Sequence, residues 1–275
     1  MTKLEDWIGN NQTQVEVINL RQAELLAVTL NQPVPKSGDS LPACWHWAWF
    51  NEALPASELG RDGHAMRGGF LPPVPLPRRM WAGGSLSFLA PIIIGAEITK
   101  VSTIESIKHR TGKSGELCIV TIGHRLFDGN ELCIDEKQNL VFREDPSPDV
   151  APPATIAPPD SHDITETLSP NPVMMFRYSA LTFNGHRIHY DVDYAREVEG
   201  YPDIVFHAPL TATSLCNLAS YLLEDEPVKH FEYRATAPLF CNAPVKLSAK
   251  KDDCGVTAWA QTPTRAQAMI AHATG

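Results

Sequence analysis

Long apolar runs are scarce in this 275-residue chain. The longest, FLAPIIIGA at 88–96, is about half of what a membrane-spanning helix needs. No membrane partner is expected on that ground. Positive charge is in short supply too. Lys and Arg number 23 against 32 Asp and Glu, a formal net charge of −9, and the acidic excess runs through both halves. No basic stripe interrupts it, which argues against nucleic acid and anionic membrane surfaces as partners. Closely spaced cysteines are missing as well. The six Cys (44, 118, 133, 216, 241 and 254) never form Cys-x-x-Cys, and most sit in apolar stretches such as SGELCIV and SLCNLAS. They read as buried free thiols rather than disulfides or structural zinc ligands. MTKLEDWIGNNQ carries acids early and no apolar export core, so a cytoplasmic location is expected.

What is present is an ordinary globular composition, 43% hydrophobic and 20% charged, long enough to bury one large core or two smaller ones. The clearest boundary is 146–172, with eight prolines in 27 residues. Proline removes backbone donors and fixes φ, so this stretch predicts an extended, exposed connector. It divides the chain into 1–145 and 173–275.

Each half runs from irregular or helical chain into strands. In the first, 80–88, about 96–110, 115–127 and 131–143 alternate apolar and polar residues, and Asp128-Gly129 marks a tight turn between the last two. In the second, PLTATSLCNLASYLL (209–223) is apolar nearly all round, with Pro209 suited to the first helical position; it predicts a buried helix. HFEYRATAPLF, PVKLSAK and GVTAWAQT follow with period two, and KKDDCG makes a polar hairpin turn. The fold class expected is α+β, an antiparallel sheet wrapped around a central helix in each half.

The stretch ALTFNGHRIHYD (180–191) concentrates candidate chemistry. His186 and His189 with His207 could form a metal set. A helical ligand pair usually lies four apart, however, and a carboxylate or thiolate normally completes the set. No metal is expected. Histidines satisfied within a core remain the plain alternative.

The run Asn184-Gly185-His186-Arg187-Ile188-His189 resembles the motif of MaoC-like and R-specific enoyl-CoA hydratases, in which an Asp precedes a His by five residues. IVFHAPLTATSL (204–215) is similar to that family's step into its central helix. WHWAWF (45–50), GGFLPPVPLPRRMWAGGSLSF (68–88) and QNLVFRE (138–144) resemble the first domain of two-domain hydroxyacyl-thioester dehydratases. The likeness extends to members that hydrate itaconyl-CoA or mesaconyl-C4-CoA. It covers nearly the whole chain and implies a double hotdog: a degenerate first unit (1–145) that walls the substrate pocket, the linker 146–172, and a second unit (173–275) carrying the motif.

By that resemblance His189 moves the proton, a task suited to imidazole near neutral pH and typically worth about 10²–10⁴-fold. Asn184 occupies the Asp position. A neutral amide can orient water through its carbonyl oxygen but cannot accept a proton, so His186 or Asp191 is a possible second carrier. Asn also removes a charge that would repel an anionic substrate. Ala208 stands at a Gly position, and its N–H at the helix start is the expected oxyanion donor. Arg78, Arg79, His186, Arg187 and His207 are the candidate substrate-binding residues, Arg177 a further rival, because an arginine fork suits a substrate carboxylate.

Three readings follow. The first is hydration of a branched C5 dicarboxylyl-CoA to citramalyl-CoA. The others are a (R)-3-hydroxyacyl-thioester dehydratase of broader specificity and a non-catalytic acyl-CoA-binding protein. No cofactor is implied beyond the CoA of the substrate, and a homodimer or higher homo-oligomer is expected. The Pro-x-x-Pro of FLPPVPLP predicts an extended wall, and Trp45, Trp47 and Trp49 mostly core, with one available to line an acyl pocket.

Overall fold

The computed structural model describes residues 3–112, 115–145, 154–224 and 226–275. The first half contains β1 (Asn11–Val17), α1 (Leu20–Leu30), β2 (Arg78–Phe88), β3 (Glu97–Gly112), β4 (Gly115–Asp128) and β5 (Glu131–Arg143). The second contains β6 (Ile164–Leu168), α2 (Pro172–Leu181), α3 (Ala208–Leu223), β7 (His230–Ala235), β8 (Val245–Asp252), β9 (Gly255–Gln261) and β10 (Gln267–Thr274). All ten strands form one antiparallel sheet in the order β1-β3-β4-β5-β2-β7-β10-β9-β8-β6. The two halves of that order mirror each other strand for strand, a repeat of topology that the sequence shows only faintly.

The halves join where β2 pairs with β7, from Gly83 opposite Arg234 to Ser87 opposite His230. A Cβ on Gly84 would lie 2.3 Å from Lys137 O and 2.5 Å from Tyr233 Oη, so only glycine admits this close seam. Beside it, the Trp81 and Tyr233 rings stack at 4.3 Å.

α3 is the central helix of the second half. Leu210, Leu215, Leu218 and Leu223 are buried against the sheet together with Phe231, Val245 and Leu247. Pro209 sits in its first turn, where a missing N–H costs nothing.

The first half departs from expectation, because no such helix fills it among the described residues. α1 packs on α2 and on the 3₁₀ turn Trp45–Ala48. The concave face of β3, β4 and β5 is covered instead by extended chain, with Val74 and Leu76 buried against Ile104, Val120, Ile122 and Phe142. Prolines 72, 73, 75 and 77 forbid a helix there and favour extended backbone. Arg67 staples this wall by donating to Val74 O (2.7 Å) and to Leu76 O. Trp45 and Trp49 are core and Trp47 donates to Glu136; none of the three lines the central cavity, where Trp81 stands instead.

A second difference concerns the connector. Residues 146–153 lie outside the described ones, but Ile164–Leu168 form edge strand β6, paired with β8 from Ile164 opposite Ala249 to Leu168 opposite Val245. The physical reason lies in the spacing of the prolines: none falls between Pro159 and Pro170, so the ladder donors there are intact. No helix among the described residues is long and apolar enough to cross a membrane.

Candidate active site

The motif 184–189 begins where α2 ends. Phe183 takes the left-handed conformation (φ 47°) and turns the chain, and Asn184 N–H donates to Ser179 O at 2.8 Å. Asn184 Oδ1 then accepts from His186 N–H at 3.0 Å. A single turn over Arg187–His189 follows. The motif is held from two sides: Arg187 N–H donates to Asp62 O at 2.9 Å, and Val205 N–H donates to Ile188 O at 2.7 Å.

The first of these contacts brings in a loop that the sequence did not single out. Gly63 (φ +85°) lies so close to Gly185 that a Cβ on it would come within 2.1 Å of Gly185 O. Gly63→Ala therefore combines a left-handed penalty of about 1–2 kcal/mol with a backbone clash. A lower melting temperature together with reduced turnover is the expected result, checked by thermal unfolding and assay of the same sample.

The loop delivers Asp62 and His64. Asp62 Oδ1 accepts from His64 N–H at 3.1 Å, and its Oδ2 lies 3.3 Å from His64 Nδ1. Four imidazoles then follow in a row. His64 and His186 are 4.3 Å apart between ring centres, His186 and His189 5.4 Å, and His189 and His207 stack at 3.8 Å. His189 Nδ1 lies 2.7 Å from Val205 O, and only a protonated Nδ1 can donate to a carbonyl. Its Nε2 is thereby left as an acceptor, with no protein partner among the described residues.

Burial sets the charge state of this row. It pushes the pKa of His189 down to about 4 against the opposing carbonyl of Val205. His64 is also lowered to about 4, by burial and then by the charge of Arg79, with Asp62 opposing. Burial, with neighbouring His64 and His189, lowers His186 strongly, and His207 likewise. For Asp62, burial favours the protonated acid, but the His64 hydrogen bond and the charges of His64 and Arg79 outweigh it and keep the carboxyl well below the usual range. The site at neutral pH is thus a set of neutral imidazoles beside one carboxylate.

These shifts have a consequence for stability. A histidine with a folded pKa near 4 and an unfolded value near 6.5 takes up its proton first in the unfolded state. Each such group leaves stability intact above pH 6.5 and erodes it by about 1.4 kcal/mol per unit as pH falls toward 4. His124, buried and lowered to about 4, is a member away from the motif. His124→Gln should flatten the fall of melting temperature between pH 6.5 and 4; an unchanged slope would count against the assignment.

A cavity of about 1360 Å³ opens beside the row, walled by both halves. Drug-sized ligands fill roughly 300–1,000 Å³, so this space suits something longer. His64, Asn184, His186, His189, Ala208 and Arg79 all face it. Ala208 is the first residue of α3, and its N–H has no acceptor among the described residues. A free amide at a helix start is suited to developing negative charge.

Several expected site residues fall elsewhere. Arg78 touches the cavity, but it is buried and its Nε is paired with Glu199, so its charge is spent. Arg187 pairs with Asp191 at 2.7 Å and covers the Tyr194 ring; neither it nor Asp191 is on the cavity wall. Asp191 is therefore not the second proton carrier. His207 is fully buried behind His189, with Nε2 2.8 Å from Ser179 Oγ, and props that ring rather than touching a ligand. Asn184 lies on the cavity wall as expected; its carbonyl oxygen accepts from the His186 amide and keeps a second lone pair, and its Nδ2 makes no hydrogen bond among the described residues. Arg79 alone of the expected arginines faces the cavity with no ion pair or hydrogen bond among the described residues. The grouping close enough to share an ion is Asp62, His64 and His186, with ligand-type atoms within 4.8 Å of one another, rather than the set His186, His189 and His207. Asp62 there already accepts twice from His64, and the nearby guanidinium of Arg79 opposes a cation.

The sequence profile of the hydroxyacyl-thioester dehydratase type 2 family matches residues 44–241. The chain belongs to that family. A relative, mesaconyl-C(4)-CoA hydratase of Chloroflexus aurantiacus, is 42% identical over 267 residues, covering 96% of this chain and 95% of its own. The dehydratase also matches the crystal structure of HtdX from Mycobacterium tuberculosis, with a TM-score of 0.70 at 16% identity over 96% of this chain and 99% of that one. A second M. tuberculosis protein, described as having a double hotdog fold, matches with a TM-score of 0.57 at 14% identity over 97% and 95% of the two chains. The double hotdog expected from the sequence is the fold found.

Proposed function

We propose that this hydro-lyase adds water across the C=C of a branched C5 dicarboxylyl-CoA, mesaconyl-C4-CoA or itaconyl-CoA, to give citramalyl-CoA. The observation that carries the reading is Arg79, a guanidinium with no ion pair or hydrogen bond among the described residues, facing the same cavity as His189 and the start of α3. Desolvation lowers the pKa of this half-buried arginine; an anionic partner would favour its charge, and a planar carboxylate fits its fork. The relative named as a mesaconyl-C(4)-CoA hydratase supports the same substrate class.

In this reading mesaconyl-C4-CoA, whose C=C is conjugated with its thioester, binds with the thioester oxygen at Ala208 N–H and the free carboxylate at Arg79. His189 Nε2 takes a proton from water as the water oxygen bonds to the β-carbon. The π electrons move toward the thioester oxygen, where the α3 amide and helix dipole stabilise them. The proton returns from His189 to the α-carbon, and the imidazole is neutral again. Asn184 Nδ2 contributes a hydrogen bond to the reacting oxygens without adding a negative charge near an anionic substrate.

The test is the absorbance of the conjugated thioester after adding the protein to mesaconyl-C4-CoA and crotonyl-CoA in parallel, with gain of water followed by mass for itaconyl-CoA, whose C=C is not conjugated with its thioester. Loss with the dicarboxylyl thioesters alone is expected. Equal loss with crotonyl-CoA would favour the broader dehydratase, and no loss with bound CoA esters would mark a binding protein.

A further inference from the structure

Asn184 poses a chemical problem. A water poised to attack needs its hydrogens accepted, so that an oxygen lone pair is left pointing at the β-carbon. The Asn184 carbonyl oxygen already accepts from His186 N–H, which leaves one lone pair of a neutral amide for a water. His189 Nε2 accepts one hydrogen. A second imidazole acceptor stands elsewhere on the cavity wall.

We propose that His64 is that acceptor and that Asp62 is the residue positioning it, so the carboxylate missing at position 184 is supplied from the first half of the chain. Four observations carry this. His64 lines the same cavity as Asn184 and His189. Its Nδ1 is tied to Asp62 Oδ2 at 3.3 Å, which fixes the proton on Nδ1 because a carboxylate only accepts. Its Nε2 is then an acceptor, the same tautomer that Val205 O imposes on His189. The loop that carries it is built against the motif, with Gly63 pressed on Gly185 and Asp62 O accepting from Arg187 N–H at 2.9 Å. His186 lies in contact with both rings and spaces them.

The inference rests on the hydratase reading above. The step remains balanced: one water hydrogen passes through His189 to the α-carbon, and the other stays on the oxygen and becomes the product hydroxyl, hydrogen-bonded to His64 throughout. Asp62 exchanges no proton. In the reverse direction His64 steadies the departing hydroxyl while His189 protonates it.

The experiment uses the full chain and four variants: His64→Asn, Asp62→Asn, Asn184→Asp and the double variant His64→Asn with Asn184→Asp. Asn at 64 keeps a donor to Asp62 but has no group in place of Nε2. The expected result is a kcat about 10²-fold lower for His64→Asn, the lower end of what a positioned proton-handling group contributes. KM should stay within about threefold, as for an interaction made chiefly in the transition state. Asn184→Asp placed in the His64→Asn background restores at least tenfold of that loss, because it returns a carboxylate acceptor to the motif. Asp62→Asn lowers kcat in parallel with His64→Asn and does not lower the thermal midpoint to match. A His64→Asn enzyme with kcat within about threefold of the parent overturns the proposal, as does a loss confined to KM or a double variant no better than the single. A parent protein that hydrates none of the three thioesters overturns the hydratase reading itself, a result separate from either.

Discussion

His189→Ala lowers kcat for thioester hydration by about 10²–10⁴-fold, the range for removal of a positioned base, while CoA-ester binding stays within a few fold. The argument is one of tautomer and charge. Val205 O holds the Nδ1 proton at 2.7 Å, and the stacked His207 ring fixes the plane of the imidazole. The remaining nitrogen can only accept. Because burial keeps the pKa at about 4, the ring is a neutral base across the physiological range. The pH profile follows with a definite sign. A base works deprotonated, so kcat/KM should stay level as pH falls through 6.5 and decline only toward pH 4. An acid limb centred near 6.5 would show that the operative histidine is not this buried one. Retention of more than a tenth of parental kcat in His189→Ala would remove it from the chemistry.

Arg79→Met should cost about 10²-fold or more in kcat/KM for mesaconyl-C4-CoA and itaconyl-CoA, since truncating one member of a desolvated charge pair costs about 2–5 kcal/mol. Crotonyl-CoA has no second carboxylate, so its turnover should change by less than about threefold. The neighbouring Arg78 is the contrast. Its guanidinium is buried against Glu199 and covers the Tyr201 ring. Arg78→Met strands a buried carboxylate, and breaking such a pair costs about 3–5 kcal/mol of stability. Adjacent arginines thus give opposite signatures, specificity lost at 79 and melting temperature lost at 78. Equal loss of crotonyl-CoA and dicarboxylyl turnover in Arg79→Met would sink the carboxylate role. Parallel kinetics with unchanged stability for both variants would sink the distinction between them.

The sequence by itself determined most of the strand pattern and the buried helix. Period-two alternation at 80–88, 115–127 and 131–143 marks strands β2, β4 and β5, because a half-buried strand must alternate. The helix expected at 209–223 is α3, since an element apolar on every side has only one place to go. Strands β1 and β10 were not legible. β1 (NQTQVEV) is largely polar on both faces, and β10 (QAMIAHAT) begins with the unbroken apolar run AMIA, which shows no period of two. The motif at 184–189 was also plain, because its residue types and spacing are local.

What only the tertiary structure decided is everything that depends on which groups meet across the chain. Arg78 and Arg79 are neighbours in β2 and both reach the cavity, but one is tied to Glu199 and the other has no ion pair among the described residues. Arg187 was indistinguishable from a ligand-binding residue until Asp191 closed on it. His207 and His189 look alike in sequence, and an exposure of 0% with a place off the cavity wall separates the His207 prop from the base. Asp62 and His64 carry no local signal, for a carboxylate two residues before a histidine is commonplace. Their meaning comes from a loop more than 120 residues away from the motif it touches, joined by Asp62 O and Arg187 N–H. Local periodicity records the free energy of burying one face of one element. Pairing of charges and imidazoles across a cavity is a property of the fold that brings them together.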